Sequence, residues 1–542
     1  MSILEMNSTA NTKALALIAT ATTKDLAYLA KSFKDTQTAD QVVLEAIYDR
    51  AEVLITNSTN VQDIAYLNKA VNDLVVDSTE DLTSAAYTMF KTDGVGSGVA
   101  AIPNSLLPQG YRKLYGHEIP SHPNHGKVSD AYGSIFKYRA PFYYKMVANT
   151  ISVSNIYQAG FVKPMEFIRN PNGFLSPGYL SGKIGNRMVS IKGLDPLSTN
   201  SAHNPISALV GAPANTYAGW VDACHFSGYE PLTIFQWDIF RMLSLYMGQS
   251  SFGTSIVAFN DVAPFFPKGN NNNALKDVND TSVSFASSGY SNCALTGSGS
   301  NFAKTTDNGQ ACGTADVNGN MWKIAIGLTY LAKTGAVCAS GATTVAMTAH
   351  GLVVNDVIYF GGTPSSGATY NTAAYTVTAV TDANNFTVGT VLERAILATD
   401  GVYSARFFRI LKTTVKASTL TAANLLDEAN YDLLDMTGIV GSNSGTVYFG
   451  NGTETVLNFS TDTNSTAYKL AACGIPTATG ASGAGTVAFG NDYMYKYLRH
   501  GLVPIVGGDW VSAAYAGSFA LLLAYDSVAS HYYVGGFASV SL

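Results

Sequence analysis

The chain has 542 residues, 13% of them charged, and a formal net charge of −6 at pH 7. Charged residues usually supply about 25% of a soluble domain; here Gly, Ser, Thr, Asn and Ala stand in for them, a composition that fits β-rich extracellular or particle-surface proteins better than a cytosolic enzyme. An acidic balance without a basic run excludes a polyanion-binding footprint, so no nucleic-acid partner is expected, and 11% aromatic residues exclude wholesale disorder.

The length allows roughly two to four domains. Residues 1–11 (MSILEMNSTAN) lack a basic stretch followed by an apolar one, so no signal peptide is expected. The most apolar runs, such as FALLLAY, are too short to span a bilayer, and no membrane insertion is expected. Residues 1–80 read as a helical attachment or oligomerisation region. Val43, Ile47, Ala51 and Leu54 form one stripe, and Ile64, Leu67, Val71 and Leu74 follow the 3-4-3 spacing of a short coiled-coil seam. An ordinary packed helix fits that spacing equally well.

Residues 81–128 read as a linker, opened by the cluster DGVGSG. His117, His122 and His125 lie within it; three imidazoles could hold a transition metal, but nothing in the spacing brings them together. Solvated loop histidines are the simpler reading, and no metal site is expected. From 129 onward short β-branched and aromatic runs alternate with Gly, Asn and Ser turns. A helix is predicted over 232–247 from Phe235, Ile239, Met242 and Leu243. In ADVNGNMWKIAIGL (315–328) an Asn-Gly-Asn turn precedes an apolar strand, and Trp322 reads as a core anchor, with ligand stacking as the alternative. Residues 333–390 look like a small all-β insert with four strand-like runs. Residues 391–490 are loop-rich, with hairpins suggested by GSNSGTVYFGNGTETV.

The chemistry of catalysis is largely missing. The cysteines (Cys224, Cys293, Cys312, Cys338, Cys473) are odd in number and scattered without a C-x-x-C, so neither a disulfide framework nor a zinc site is indicated. Buried free thiols made in a reducing cytoplasm are expected. LSGKIGN does not complete a phosphate loop, and Asn443 holds the middle position of GSNSG, where a hydrolase nucleophile would stand. Carboxylates form no obvious pair. No cofactor and no enzymatic activity are expected.

Six pieces, in order, resemble formylglycine-generating-enzyme-like domains, a variant of the C-type lectin fold. DVNGNMW resembles the family's D-x-x-G-N-V-W-E-W strand, with Asn318, Gly319, Asn320 and Trp322 in place. SDAYGSIFKYRAPFYYKM (129–146) looks like the opening strand of the phage members, and IKGLDPLSTN (191–200) like their Pro-Gly-x-Asp-Pro loop. ACHFSGYEPLTIFQWDIF (223–240) is similar to a helix reading Gly-x-x-Leu-x-Thr-x-x-Glu-Trp; Gly228, Thr233 and Trp237 match, and Gln236 replaces the Glu. ALTGSGSNFAKTTDNGQACGTADVNGNMW resembles the approach to the signature strand. The tail, with Gly507, Gly508, Gly536 and Phe537, resembles the Arg-x-Gly-Gly-x-Trp … Gly-Phe-Arg ending. GVAAIPNSLLPQGYRKL is similar to segments that precede this domain in phage tail-fibre proteins, and the insert to β modules of phage structural proteins.

The resemblance implies an α+β fold: an N-terminal helical region, then a lectin-like domain in two parts, 129–332 and 391–542, with mixed short strands and one or two helices, interrupted by the all-β insert. Departures matter as much. No cysteine follows Cys473, so the paired cysteines of the enzymes are missing, and Lys323 and Ala538 replace the Glu and Arg of a buried charge network, which is expected to be absent. In diversified phage members the variable positions lie between Gly-Gly-x-Trp and Gly-Phe-Arg, which corresponds here to 509–533. Strand alternation over 517–525 would put Phe519, Leu521, Leu523 and Tyr525 on one face and Ser518, Ala520, Leu522 and Ala524 on the other, the latter apolar enough to be covered. Candidate receptor contacts are Asp509, Trp510, Ser512, Tyr515, Ser518, Tyr525, Asp526, Ser527, His531, Tyr532 and Tyr533. The expectation is a phage virion fibre or spike protein, exposed on the particle and made in the host cytoplasm. It would bind other virion proteins through its N-terminal region, trimerise, and contact a host receptor, a glycan being one candidate. The alternative is a purely structural virion component, such as a head fibre, neck or decoration protein.

Overall fold

A computed structural model describes residues 18–22, 25–26, 50, 98–120, 122–147, 150–249, 283–285, 293–299, 306–307, 310, 312–439, 441–449, 457–476, 492–512 and 515–542. The chain divides into two units, residues 1–85 with 101–131, and residues 86–100 with 132–542. Most of the N-terminal helical region, including the stripe at 64–74 and all but one residue near the stripe at 43–54, lies outside the described residues. Those seen at 18–20, 25–26 and 50 are helical.

In the first unit, the segment read as a linker is organised by its histidines. The strands Arg112–Lys113 and Lys127–Ser129 pair antiparallel. Inside the turn between them, the His117 ring is buried: its Nδ1 contacts the Lys127 carbonyl at 2.7 Å, and its Nε2 accepts from the Ile102 N–H at 2.9 Å. These bonds select the neutral tautomer protonated at Nδ1, and burial holds the imidazole down at about 3. His125 Nδ1 meets the His117 carbonyl at 3.0 Å, and His122 Nδ1 accepts from the Asn124 N–H at 3.0 Å. The solvated reading is therefore corrected for His117 and His125. Backbone groups engage all three rings.

The second unit mixes many short, mostly antiparallel strands with few helices. Among its strands, Ile135–Arg139, Phe174–Pro177, Ala538–Ser541 and Glu230–Pro231 lie side by side in that order. The last strand of the unit thus pairs with Phe174–Pro177, itself paired with the first. A second sheet runs Ser444–Tyr448, Tyr493–Tyr497, Leu521–Leu523, Ile505–Val506, Trp322–Ile324, Val534–Gly536. Two of its pairings are parallel, Trp322↔Val534 and Met494↔Leu521.

The helix Ile234–Gln249 begins two residues inside the segment its apolar spacing marks, ends two residues beyond it, and is buried on every side from Ile234 to Leu245. Its start follows from a capping box: the Gln236 N–H donates to Thr233 Oγ1 at 3.1 Å, and the Thr233 N–H to Gln236 Oε1 at 3.2 Å. A fully enclosed helix must neutralise its own polar groups. Arg241 pairs with Asp238 one turn away, donates to the Ala471 carbonyl at 3.0 Å and covers the Phe519 ring.

The insert forms the four expected strands, Thr344–Ala346, Val357–Phe360, Tyr375–Asp382 and Asn385–Val388, but its sheet is completed by Val402–Ser404, beyond residue 390. Ser444–Tyr448 pairs with Tyr493–Tyr497, far along the chain, whereas a local hairpin was expected; residues 450–456 lie outside the described ones. Among the described residues no helix is long and apolar enough to cross a membrane.

Candidate functional site

Two glycines set the geometry of the 509–533 segment. At Gly507 φ is +86°, and a Cβ there would lie 2.6 Å from the Val317 carbonyl oxygen. The backbone therefore passes against the Asn318-Gly319-Asn320 turn, and the Gly319 N–H donates to the Gly507 carbonyl at 2.7 Å. At Gly536 a Cβ would lie 2.8 Å from the Trp220 indole, and Phe537 is fully buried edge-on against Phe240. Trp237, enclosed in the internal helix, donates from Nε1 to the Ser518 carbonyl at 2.9 Å. Asn318 is buried with its Nδ2 3.3 Å from Gln310 Oε1, and Asn320 accepts the Trp510 N–H on its carbonyl at 3.1 Å.

This frame holds an open depression of about 320 Å³, lined by Trp322, Tyr493, Asp509, Trp510, Val511, Ser512, Leu522, Tyr525, Tyr532 and Tyr533. Register explains part of the lining. Leu522 stands opposite Tyr495 and Ile505, and Ile505 opposite Ile324, so Tyr493, Leu522 and Trp322 share one sheet face. The other walls come from the turn after Gly508 and the turn before Val534. Trp510 and Tyr532 lie 6.1 Å apart, and Tyr532 and Tyr533 meet edge-on at 5.1 Å. The lining carries a single carboxylate and no Lys or Arg. Asp509 accepts from Ser512 Oγ at 2.5 Å and from the Val511 N–H at 3.2 Å, and burial raises its carboxyl above the ordinary range.

The predicted contacts divide. Asp509, Trp510, Ser512, Tyr525, Tyr532 and Tyr533 line the depression. Tyr515 is exposed at its edge, 5.5 Å from the Tyr493 ring. His531 sits behind the wall, its ring 4.6 Å from Tyr525 and 5.0 Å from Tyr533, with Nδ1 3.0 Å from the Tyr217 hydroxyl. Three candidates are corrected. Ser518 is fully buried under the Trp237 indole. Asp526 pairs with Arg499 at 3.2 Å, and Ser527 Oγ meets Ser366 Oγ at 2.6 Å, so both fix the loop to its neighbours and are buried. The alternation over 517–525 also fails, because the strand is only Leu521–Leu523; Tyr525, two residues past its end, turns to the same depression as Leu522.

Trp322, Tyr493, Val511 and Leu522 are lining residues absent from the predicted contacts. The alternating tyrosines of DYMYKY could have pointed to Tyr493, since Tyr493, Tyr495 and Tyr497 are half-exposed while Met494 and Lys496 are buried. Trp322 is 5% exposed, so a core anchor also presents an edge to the depression.

Lys323 belongs to a buried polar cluster of its own. Lys323 is fully buried, donates to the carbonyls of Val317 and Gly319, and faces Asp316 and Asp509. Burial pushes its ammonium down, and the two carboxylates oppose that shift. Gln236 donates to Glu166 Oε1 at 3.0 Å and accepts from Ser539 Oγ at 2.9 Å. Glu166 comes from the helix Met165–Arg169.

Comparison with protein-family models and with curated proteins finds no match for this chain.

Proposed function

We propose that this chain is a bacteriophage virion fibre or spike protein that binds the host surface, without catalysis, through a C-type-lectin-like region. The observation that carries the reading is the aromatic depression at 509–533, framed by Gly507-Gly508 and Gly535-Gly536. First and last strands gathered into one sheet and a signature strand beside both glycine pairs support the lectin-like fold. Flat rings of Trp and Tyr suit the apolar faces of sugar rings, with Asp509, Ser512 and the tyrosine hydroxyls as hydrogen-bond partners. A lining without Lys or Arg disfavours acidic ligands. Weak single sites would gain avidity on a trimeric fibre attached to the particle by its N-terminal region.

The test is binding of the full-length protein to a panel of bacterial cells and to a neutral-glycan array. Saturable binding reduced at least tenfold by Tyr532→Ala and by Tyr493→Ala supports the reading. Binding to neither, by correctly assembled protein, removes it. A second reading, a structural virion component, is favoured by exposed Val511 in the lining of the depression, which suits a neighbouring subunit. Imaging of intact particles separates the two by showing whether another subunit covers Tyr532.

A further inference from the structure

A second cluster of donor groups lies behind the wall of the depression. The loop Asp195–Asn204 closes on itself: Asn204 Nδ2 donates to the Asp195 carbonyl at 2.7 Å, and the Ser198 N–H to the Asn204 carbonyl at 3.0 Å. Closure places His203 Nε2 3.5 Å from Asp195 Oδ1. The segment 293–296 is fastened alongside. The Thr296 N–H donates to the Leu194 carbonyl at 2.8 Å, the Leu194 N–H to Thr296 Oγ1 at 2.9 Å, and the Gly193 N–H to the Thr296 carbonyl at 2.6 Å. This brings in Cys293, and one donor atom from each of Asp195, His203 and Cys293 lies within 4.8 Å of the others.

We propose that Asp195, His203 and Cys293 form a zinc-binding site with three protein donors and one open position. A carboxylate, an imidazole and a thiolate are the donor set of a borderline metal and do not suit magnesium or calcium. Zinc bonds of about 2.0–2.3 Å place tetrahedral donors roughly 3.3–3.8 Å apart. The Asp195–His203 pair already meets that spacing, and the remaining closure on the single sulfur is at most about 1.3 Å. Charge also balances: Zn²⁺ with one thiolate and one carboxylate is neutral, which a buried position requires. Asp195 Oδ1 is enclosed and accepts no hydrogen bond among the described residues. The Cys293 and His203 side chains are sealed from solvent, whereas the Asp195 side chain is 36% exposed, giving the metal its entry and the open position its direction. On binding, the Cys293 S–H proton leaves to solvent and the sulfur lone pair goes to zinc.

The site connects to both walls of the depression. Thr199, within the loop, accepts the His531 N–H on Oγ1 at 3.1 Å and donates its own N–H to the Val534 carbonyl at 3.0 Å. Asn320 clasps Ala294 through two bonds, of 2.9 and 3.1 Å, and takes the Trp510 N–H on its carbonyl. A metal here would brace the turns carrying Trp510 and Tyr532.

The experiment equilibrates the full chain with zinc alone and counts bound metal by mass spectrometry and calorimetry, then repeats the titration with cobalt(II). The expected result is one tightly held zinc per chain and a thiolate-to-cobalt charge-transfer band. Cys293→Ser should abolish the band and weaken binding at least 100-fold, while Cys224→Ser, a buried thiol elsewhere, should change neither. Should Cys293→Ser fail to fold, the partly exposed Asp195→Asn carries the test, with an affinity loss of at least tenfold. No stoichiometric uptake from tens of micromolar zinc, or unchanged affinity and band in these variants, would overturn the proposal.

Discussion

The indole of Trp237 and the backbone carbonyl of Ser518, 281 positions apart in the chain, are joined by a 2.9 Å hydrogen bond inside the second unit. It ties the internal helix to the interior of the 509–533 segment that carries the depression. Trp237→Phe removes the donor, strands a buried carbonyl and leaves a small void. A loss of about 2–4 kcal/mol is expected, measured by denaturant unfolding of the second-unit transition. Loss below about 0.5 kcal/mol would show that the bond does not hold the segment.

Gly507 and Gly438 separate strain from collision. Both have positive φ, +86° and +79°, but only Gly507 has atoms where a Cβ would go. Gly438→Ala should cost about 1 kcal/mol from backbone conformation alone. Gly507→Ala should cost at least twice that, since the Val317 carbonyl must move. Equal melting temperatures for the two variants would contradict the close approach.

Exposure at the depression predicts a split between binding and stability. Tyr515→Ala and Tyr532→Ala remove side chains 43% and 40% exposed, so stability should change by less than about 0.5 kcal/mol. Any ligand of the depression should bind Tyr532→Ala at least tenfold more weakly. Asp526→Ala should behave oppositely: it leaves Arg499 without this partner and lowers stability, with little direct effect on ligand affinity once folded.

Glu166 gives a pH dependence of unusual sign. It is fully buried, and desolvation raises its carboxyl from 4.5 to about 7, against the opposing pull of Arg169, Asn170 and Gln236. The folded state then holds a proton that the unfolded state has released. The contribution is complete below about pH 4.5 and is lost as pH rises towards 7, by at most about 3 kcal/mol. Glu166→Gln preserves the shape and can still bond Thr233, and should flatten this part of the stability profile. A wild-type profile between pH 4.5 and 7 that is unaltered by the substitution would refute the assignment.

Those parts of the fold that rest on local chemistry were legible in the sequence. The helix at 234–249 announces itself by apolar spacing and by Thr233 and Gln236 at capping-box distance, and the insert strands by alternation between turns. What was not legible depends on distant partners. His117 reads as a loop residue because Ile102 and Lys127, which bury it, signal nothing in one dimension. Ser518 looks like a display residue until Trp237 covers it. Alternation over 517–525 misplaces Tyr525 because strand length is set by neighbours, Ile505 and Met494 among them. Cys293 likewise shows nothing of its neighbours: Asp195 and His203, whose donor atoms lie within 4.8 Å of its sulfur, stand about 90 residues earlier, where no metal-ligand spacing can show.

The strand Ala538–Ser541 lies between Phe174–Pro177 and Glu230–Pro231. During synthesis the edge of Phe174–Pro177 therefore waits for a partner made about 360 residues later. At roughly 5–20 residues per second that is on the order of 20–70 s of exposed, hydrogen-bond-hungry backbone. Nascent chains crowded on one message are thus offered each other's edges before their own closing strand exists, and slow, cold translation should favour recovery of soluble protein only where a holding chaperone covers that edge.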